Sequence, residues 1–193
     1  MSNTINDKLS RTRQAGILRS FRSVHRKFGI VLFAFLFIVG VTGLLLGWKK
    51  NSSGIIQAKS QQGTSSDFSN WRSLQELNDI AEQVLKDSLG EEFSAEVDRI
   101  DIRKDKGIVK FSYLNHFNEI QLDGATGMVL SVNHRRSDFI EKIHDGSIFD
   151  FYLKTSDGIF KLFYTSLMGL GLIVFTITGF WLWYGPKRMR KNS

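Results

Sequence analysis

Two stretches decide what this chain can fold into. Residues 28–48 contain no charged side chain, and neither do residues 162–184. Both are dominated by Phe, Leu, Ile, Val and Gly. In a helix rising about 1.5 Å per residue, about 20 such residues cross a hydrocarbon layer of about 30 Å. An ordinary cytosolic globule is therefore excluded, although the mean hydropathy of −0.13 would pass for one. The chain has no cysteine. That removes a disulfide framework, a thiolate metal site, an iron–sulfur cluster and a thiol nucleophile.

Charge suggests an orientation for the two spans. Residues 1–28 carry seven Lys/Arg against one Asp, and residues 185–193 carry four basic residues and no acid. Residues 29–184 hold 15 basic and 18 acidic side chains, a mildly acidic balance. Basic flanks stay on the cytoplasmic side of a membrane. Both termini are expected inside and the segment between the spans outside, in a multi-pass protein of the cytoplasmic (inner) membrane. The basic residues sit where topology places them, with no aromatic-interleaved basic surface, so nucleic-acid binding is not expected. The first run is long for a signal peptide, and GWKKNSSG after it lacks a small-x-small cleavage site, so an uncleaved anchor is expected.

Residues 1–8 are polar and expected to fray, within a basic amphipathic segment at 1–28. Its Ile17, Phe21, Val24 and Phe28 share a helical face; it either lies in the headgroup region or extends the first span. Transmembrane helix 1 is placed at 29–48. Gly40, Gly43 and Gly47 share one face of it and are candidate helix-packing residues. A Ser/Gln/Gly-rich linker at 49–70 follows. A small domain is expected at 71–136. Ser73-Leu-Gln-Glu76 is a capping-box pattern, and the apolar residues from Leu74 keep helical period to Leu89, before Gly90. Strand patterns then run at 97–103, 108–114, 119–123 and 128–132, with turns at Asp105-Lys-Gly107 and Asp123-Gly-Ala-Thr-Gly127. The expected fold class is a membrane α protein with a small α+β domain, one helix packed on a three- or four-stranded antiparallel sheet. Residues 137–161 form an interfacial connector, 162–184 transmembrane helix 2, and 185–193 a cytoplasmic basic tail.

The unit ending NEIQLDGATGMVLSV resembles the PepSY domain, whose last hairpin turns on Asp-x-x-Thr-Gly, here Asp123 to Gly127. The flanks resemble the PepSY-associated transmembrane helix family. The first shows His25-Arg26-x-x-Gly29 and then Thr42-Gly43. The second is approached by His144-Asp-Gly146 and contains Thr178-Gly179 and Trp181-x-Trp183. VTGLLLGW at 41–48 is echoed by ITGFWLWY at 177–184. The resemblance covers residues 20–186 and is to a minimal member with one pair of spans. It implies an extracytoplasmic PepSY-like domain and two different roles. Larger members are linked to iron acquisition, some as haem-bearing reductases of ferric siderophores. PepSY units also occur in protease propeptides, where they inhibit or chaperone the peptidase.

No metalloprotease, nucleophile-elbow, P-loop or dinucleotide motif is present. The acids read as scattered on a solvated surface, and the spans carry no ionisable residue for a proton relay. A b-type haem needs axial nitrogen ligands. Of the four histidines, His25 and His144 are the candidates near a membrane; His116 and His134 read as surface residues. The topology sets His25 and His144 about a bilayer apart, about 30 Å, so each would ligate haem iron with its counterpart in a second copy. The competing readings are an interfacial polar residue for His25 and a helix-terminal or hairpin-capping histidine for His144. Thr42 and Thr178 are expected to bond back to helix carbonyls, beside Gly43 and Gly179. The functions that follow are an accessory or electron-transfer subunit in iron–siderophore handling with haem b, a non-enzymatic regulator that binds an envelope peptidase, or a structural subunit of a membrane complex or homo-oligomer.

Overall fold

The computed structural model describes residues 2–191; Met1 and the last two residues, parts of the basic end segments, lie outside the described residues. The chain divides into two compact units. One holds the residues up to Val41 and those from Asp145 onward, and the other spans Thr42–His144.

The first unit is built on two long helices, α1 (Ser2–Gly47, whose last turns belong to the second unit) and the last helix, Ile159–Lys191. Residues 12–47 and 159–188 within them are long and apolar enough to cross a membrane. Helix α1 begins at Ser2, although residues 1–8 were expected to fray. No Gly or Pro interrupts residues 2–15, so the basic segment continues directly into the span. The last helix likewise runs on through Pro186, which removes a single intrahelical N–H donor.

The two helices pack antiparallel on a seven-residue spacing. Leu18, His25 and Leu32 of α1 meet Gly185, Gly179 beside Thr178, and Gly171. Leu32 is 1% exposed. A Cβ at Gly171 would sit 2.6 Å from Leu32 Cδ1, and one at Gly185 2.6 Å from Leu18 Cδ2. Glycine thus makes the holes that the α1 side chains fill, as close packing in a bilayer demands. Outward residues such as Ile30, Phe33, Phe37, Leu162, Phe163 and Leu170 stay exposed, as lipid-facing positions do.

In the second unit α2 (Leu74–Leu89) is opened by the expected capping box, Ser73 Oγ accepting from Glu76 N while Glu76 accepts from Ser73 N. Four strands follow: β1 (Val97–Arg103), β2 (Ile108–Tyr113), β3 (Asn118–Asp123) and β4 (Val129–His134). They form one antiparallel sheet in chain order. Leu77, Ala81 and Leu85 of α2 pack on Val109, Phe111, Tyr113, Ile120 and Leu122. Ile100 and Ile102 of β1 pair with Phe111 and Val109 yet remain 37% and 44% exposed. One helix about 10 Å wide covers about two strands spaced about 4.8 Å apart, so the β1 edge is left uncovered.

The opposite face of the sheet is polar and buried, contrary to the expectation of a solvated acidic surface. Lys110, Ser112, Glu119, Gln121 and Asp123 are each 5% exposed or less. Residues expected to be a linker cover part of it. Gln61 N donates to Gln121 Oε1 at 3.0 Å, Gly63 N to Lys106 O at 2.7 Å and Thr64 N to Asp123 Oδ2 at 2.8 Å. Arg135 joins Ser112, Glu119 and Asp138 at the same face.

Helix α3 (Arg136–Asp145) ends this unit at His144. In the first unit, α4 (Ser147–Leu153) follows, and the last helix is α5 (Ile159–Lys191). The connector expected at 137–161 is thus largely helical. Asp150 of α4 caps α5, accepting from Phe160 N at 3.1 Å and Lys161 N at 2.8 Å, which satisfies donors that have no intrahelical partner.

Candidate functional site

Each of the two units contains a histidine set against a Thr-Gly pair. In the first, His25 Nδ1 lies 2.8 Å from Thr178 Oγ1. The Thr178 hydroxyl donates to the carbonyl of Val174 at 2.7 Å and, more weakly, of Phe175 at 3.1 Å. With that hydroxyl turned to the helix, Oγ1 accepts from His25 in the tautomer that carries its hydrogen on Nδ1, and in that tautomer Nε2 is a lone-pair nitrogen. Phe175 stacks on the imidazole with ring centroids 3.9 Å apart and planes at 24°. A Cβ at Gly179 would lie 3.3 Å from His25 Cε1, so glycine there lets the ring seat against the helix backbone.

The second pair repeats this chemistry. Thr42 Oγ1 and His144 Nδ1 are 2.9 Å apart, and a Cβ at Gly43 would lie 3.4 Å from His144 Cε1. The same two atoms are paired, and a glycine again faces the same ring carbon. Among the described residues neither imidazole uses Nε2 in a hydrogen bond. The echoed V/I-Thr-Gly sequences are thus two seats for two histidines.

The structure sorts the remaining candidates. Thr178 bonds back to a helix carbonyl and at the same time holds His25. Gly43 faces His144, whereas nothing among the described residues comes within 4 Å of a Cβ at Gly40 or Gly47. The glycines at the α1–α5 contact are Gly29, Gly171, Gly179 and Gly185; of these only Gly179 was expected from sequence to pack, Gly29 having been noted as part of the His25-Arg26-x-x-Gly29 motif. The seven-residue spacing of Leu18, His25 and Leu32 was the signal that could have found the others. His116 is not an ordinary surface residue. It bonds Ser94 O at 3.0 Å and packs on Tyr113 and Phe93. Burial holds its pKa below the usual imidazole range, outweighing the Ser94 contact. His134 is exposed and paired with Asn118.

His25 also borders a cleft of about 440 Å³, lined by Arg26, Gly29, Ile30, Phe33 and Phe175. It is an apolar surface with one guanidinium at its rim. Among the described residues no three His, Cys, Asp or Glu side chains cluster as a metal site would need. Ligation here would use single imidazoles.

The Asp-x-x-Thr-Gly turn proves to be structural. Asp123 accepts from Thr64 N and Oγ1, Ala125 N and Thr126 N. Burial pushes its carboxyl up, but these hydrogen bonds outweigh burial and hold it below the usual carboxylate range. Gly127 takes a positive φ of 75° to close the turn, a conformation open to glycine at little cost.

The sequence pattern of the PepSY-associated TM region matches residues 8–192. No curated protein and no solved structure gives a match. The match takes in both apolar helices, both His–Thr-Gly seats and the sheet between them, and the chain belongs to the PepSY-associated transmembrane family, as a membrane protein.

Proposed function

We propose that this protein is a haem-binding accessory or electron-transfer subunit of the cytoplasmic membrane, acting in the handling of iron–siderophore complexes. The observation that carries the reading is the seat of His25, whose Nδ1 lies 2.8 Å from Thr178 Oγ1 with Phe175 stacked on the ring. Axial ligation needs a neutral imidazole with a free lone pair and a held ring, and ligating histidines characteristically spend their other nitrogen on a hydrogen bond. Thr178 supplies that bond and Phe175 restrains the ring. The donor set fits a b-type haem: the cleft beside His25 is apolar, and Arg26 at its edge suits a propionate. His144, held by Thr42, is the second candidate ligand. Haem, once bound, would supply a one-electron couple. The chain's own work is to hold the imidazoles, shield the His25 ring with Phe175, and set the membrane orientation. The iron–siderophore role follows from the family resemblance, and the basic termini support an orientation with both ends cytoplasmic and the sheet domain outside.

The test is an absorption spectrum of protein purified from haem-replete membranes. A Soret band is expected, diminished by His25→Ala and by His144→Ala. A colourless, folded protein would sink the haem reading. The uncovered β1 edge, with Ile100 and Ile102 exposed, favours the alternative of a non-enzymatic regulator that binds an envelope peptidase, which predicts co-purification of that partner with no cofactor. A reporter fused after Ser193 that worked only outside the cytoplasm would reverse the proposed orientation.

A further inference from the structure

A second cleft, also of about 440 Å³, lies between the loop that follows α1 and the turn joining β1 to β2. Its character is opposite to that of the His25 cleft. Lys50, Lys59, Arg103 and Lys106 line it, with Asp105 as the only acid. Among the described residues none of the four cations has a carboxylate within ion-pair distance. Lys106 Nζ reaches only the Ser60 carbonyl, at 3.5 Å. Four cations against one acid leave the cleft with a positive balance, which an anion would offset.

An independent observation marks the same place. Gln57 lines the cleft, and its Oε1 is the one buried side-chain polar atom without a hydrogen-bond partner among the described residues. The side chain thus has hydrogen-bonding capacity unspent beside the cleft.

We propose that this cleft binds a phosphate ester. The cations come from two separate chain segments and so approach an anion from several sides. That arrangement suits a tetrahedral group with several acceptor oxygens better than a flat carboxylate. Arg103 offers a forked donor, and the lysines act as point charges. The volume lies in the range of small-ligand clefts and has room for what the phosphate is esterified to. Lys50 follows the end of α1 at Gly47 by three residues, within reach of a lipid headgroup. The phosphate can therefore come from an anionic lipid or from a soluble ester.

The experiment uses the full chain in two kinds of nanodisc, phosphatidylcholine alone and phosphatidylcholine doped with phosphatidylglycerol. Native mass spectrometry reads retained phosphatidylglycerol. Phosphorus NMR line broadening reads inorganic phosphate added to the phosphatidylcholine discs. The double variant Lys59→Ala/Arg103→Ala is compared with Lys86→Ala, a lysine paired with Glu82 on α2. Losing charge-assisted hydrogen bonds is expected to weaken binding by about tenfold or more, and added salt should weaken it further. Saturable retention of phosphatidylglycerol, lost in the double variant, supports the site and assigns it to lipid. Variant-sensitive broadening of phosphate without lipid retention supports the site and assigns it to a soluble ester. Binding of neither probe, or a double variant no weaker than Lys86→Ala while both fold by circular dichroism, overturns the proposal.

Discussion

Replacing Thr178 by Val keeps the side-chain shape and deletes one hydroxyl. That hydroxyl makes two kinds of bond, accepting from His25 Nδ1 at 2.8 Å and donating to Val174 O at 2.7 Å. Loss of the second is inexpensive, because a threonine bonding back to its own helix adds little stability. Loss of the first strands a ring nitrogen of His25 between two membrane helices. Side-chain hydrogen bonds between such helices are worth about 0.6 kcal/mol on average and about 1.7 at most. The short distance and the 5% exposure of Thr178 place this one in the upper half, at about 1–1.5 kcal/mol. Thr165→Val is the internal control. Thr165 donates to Lys161 O at 2.7 Å in the same way, but it is exposed. Reversible unfolding in mixed micelles should show Thr178→Val destabilised by about 1 kcal/mol more than Thr165→Val. A double-mutant cycle with His25→Phe should return a coupling of about 1 kcal/mol, a fivefold change in the folded ratio. A coupling under about 0.3 kcal/mol, which unrelated sites show by chance, would refute the clasp. The measurement needs no cofactor and so stands apart from the haem reading.

Three further perturbations probe the rest of the fold. Gly171→Ala should cost about 1–3 kcal/mol by overpacking against the buried Leu32, whereas Gly40→Ala, opening on free space, should be neutral or slightly stabilising in the same unfolding assay. Arg135→Met strips Glu119 of its closest cation and should cost about 3 kcal/mol, held to the low end because Lys110 stays 3.6 Å away; adding Glu119→Gln should recover part of that loss in a chemical melt. The sheet domain should lose stability in two acid steps. His116 has a depressed pKa in the fold, so its contribution is complete above about pH 6.5 and fades as pH falls through the folded value. Asp123 is depressed too, and its contribution is present above about pH 4 and fades below it. His116→Phe should flatten the first step and Asp123→Asn the second, read as melting temperature against pH.

What could be read from the sequence and what could not divide along a physical line. The helix α2, the four strands and their turns were legible because each rests on local signals: a capping box at Ser73, alternation at Val109, Phe111 and Tyr113, and glycine where φ turns positive. Charge gave the spans for the same reason, since a hydrocarbon layer acts on every residue of a run. The buried face of Lys110, Glu119 and Gln121 was not legible. Alternating polar residues on a strand read as solvated until something is known to lie over them, and part of the cover comes from residues 59–64, whose composition resembles a linker. The histidine seats fell between these cases. Both the Thr-Gly echo and the histidines were visible, but pairing His25 with Thr178 joins positions 153 residues apart, which no local pattern encodes. The seven-residue spacing of Leu18, His25 and Leu32 carries that information once the two spans are taken as antiparallel partners. It then places His25 opposite Thr178 as surely as it places leucines opposite glycines. A histidine occupying a leucine's place in a packing repeat gives up apolar contact at the helix interface, and the Thr-Gly seat offsets the loss with one hydrogen bond and close approach to the backbone. His144 meets Thr42 and Gly43 in the same way, on a different helix. Packing alone would be served better by leucine at position 25, so what the imidazole adds there is a ring nitrogen held by Thr178.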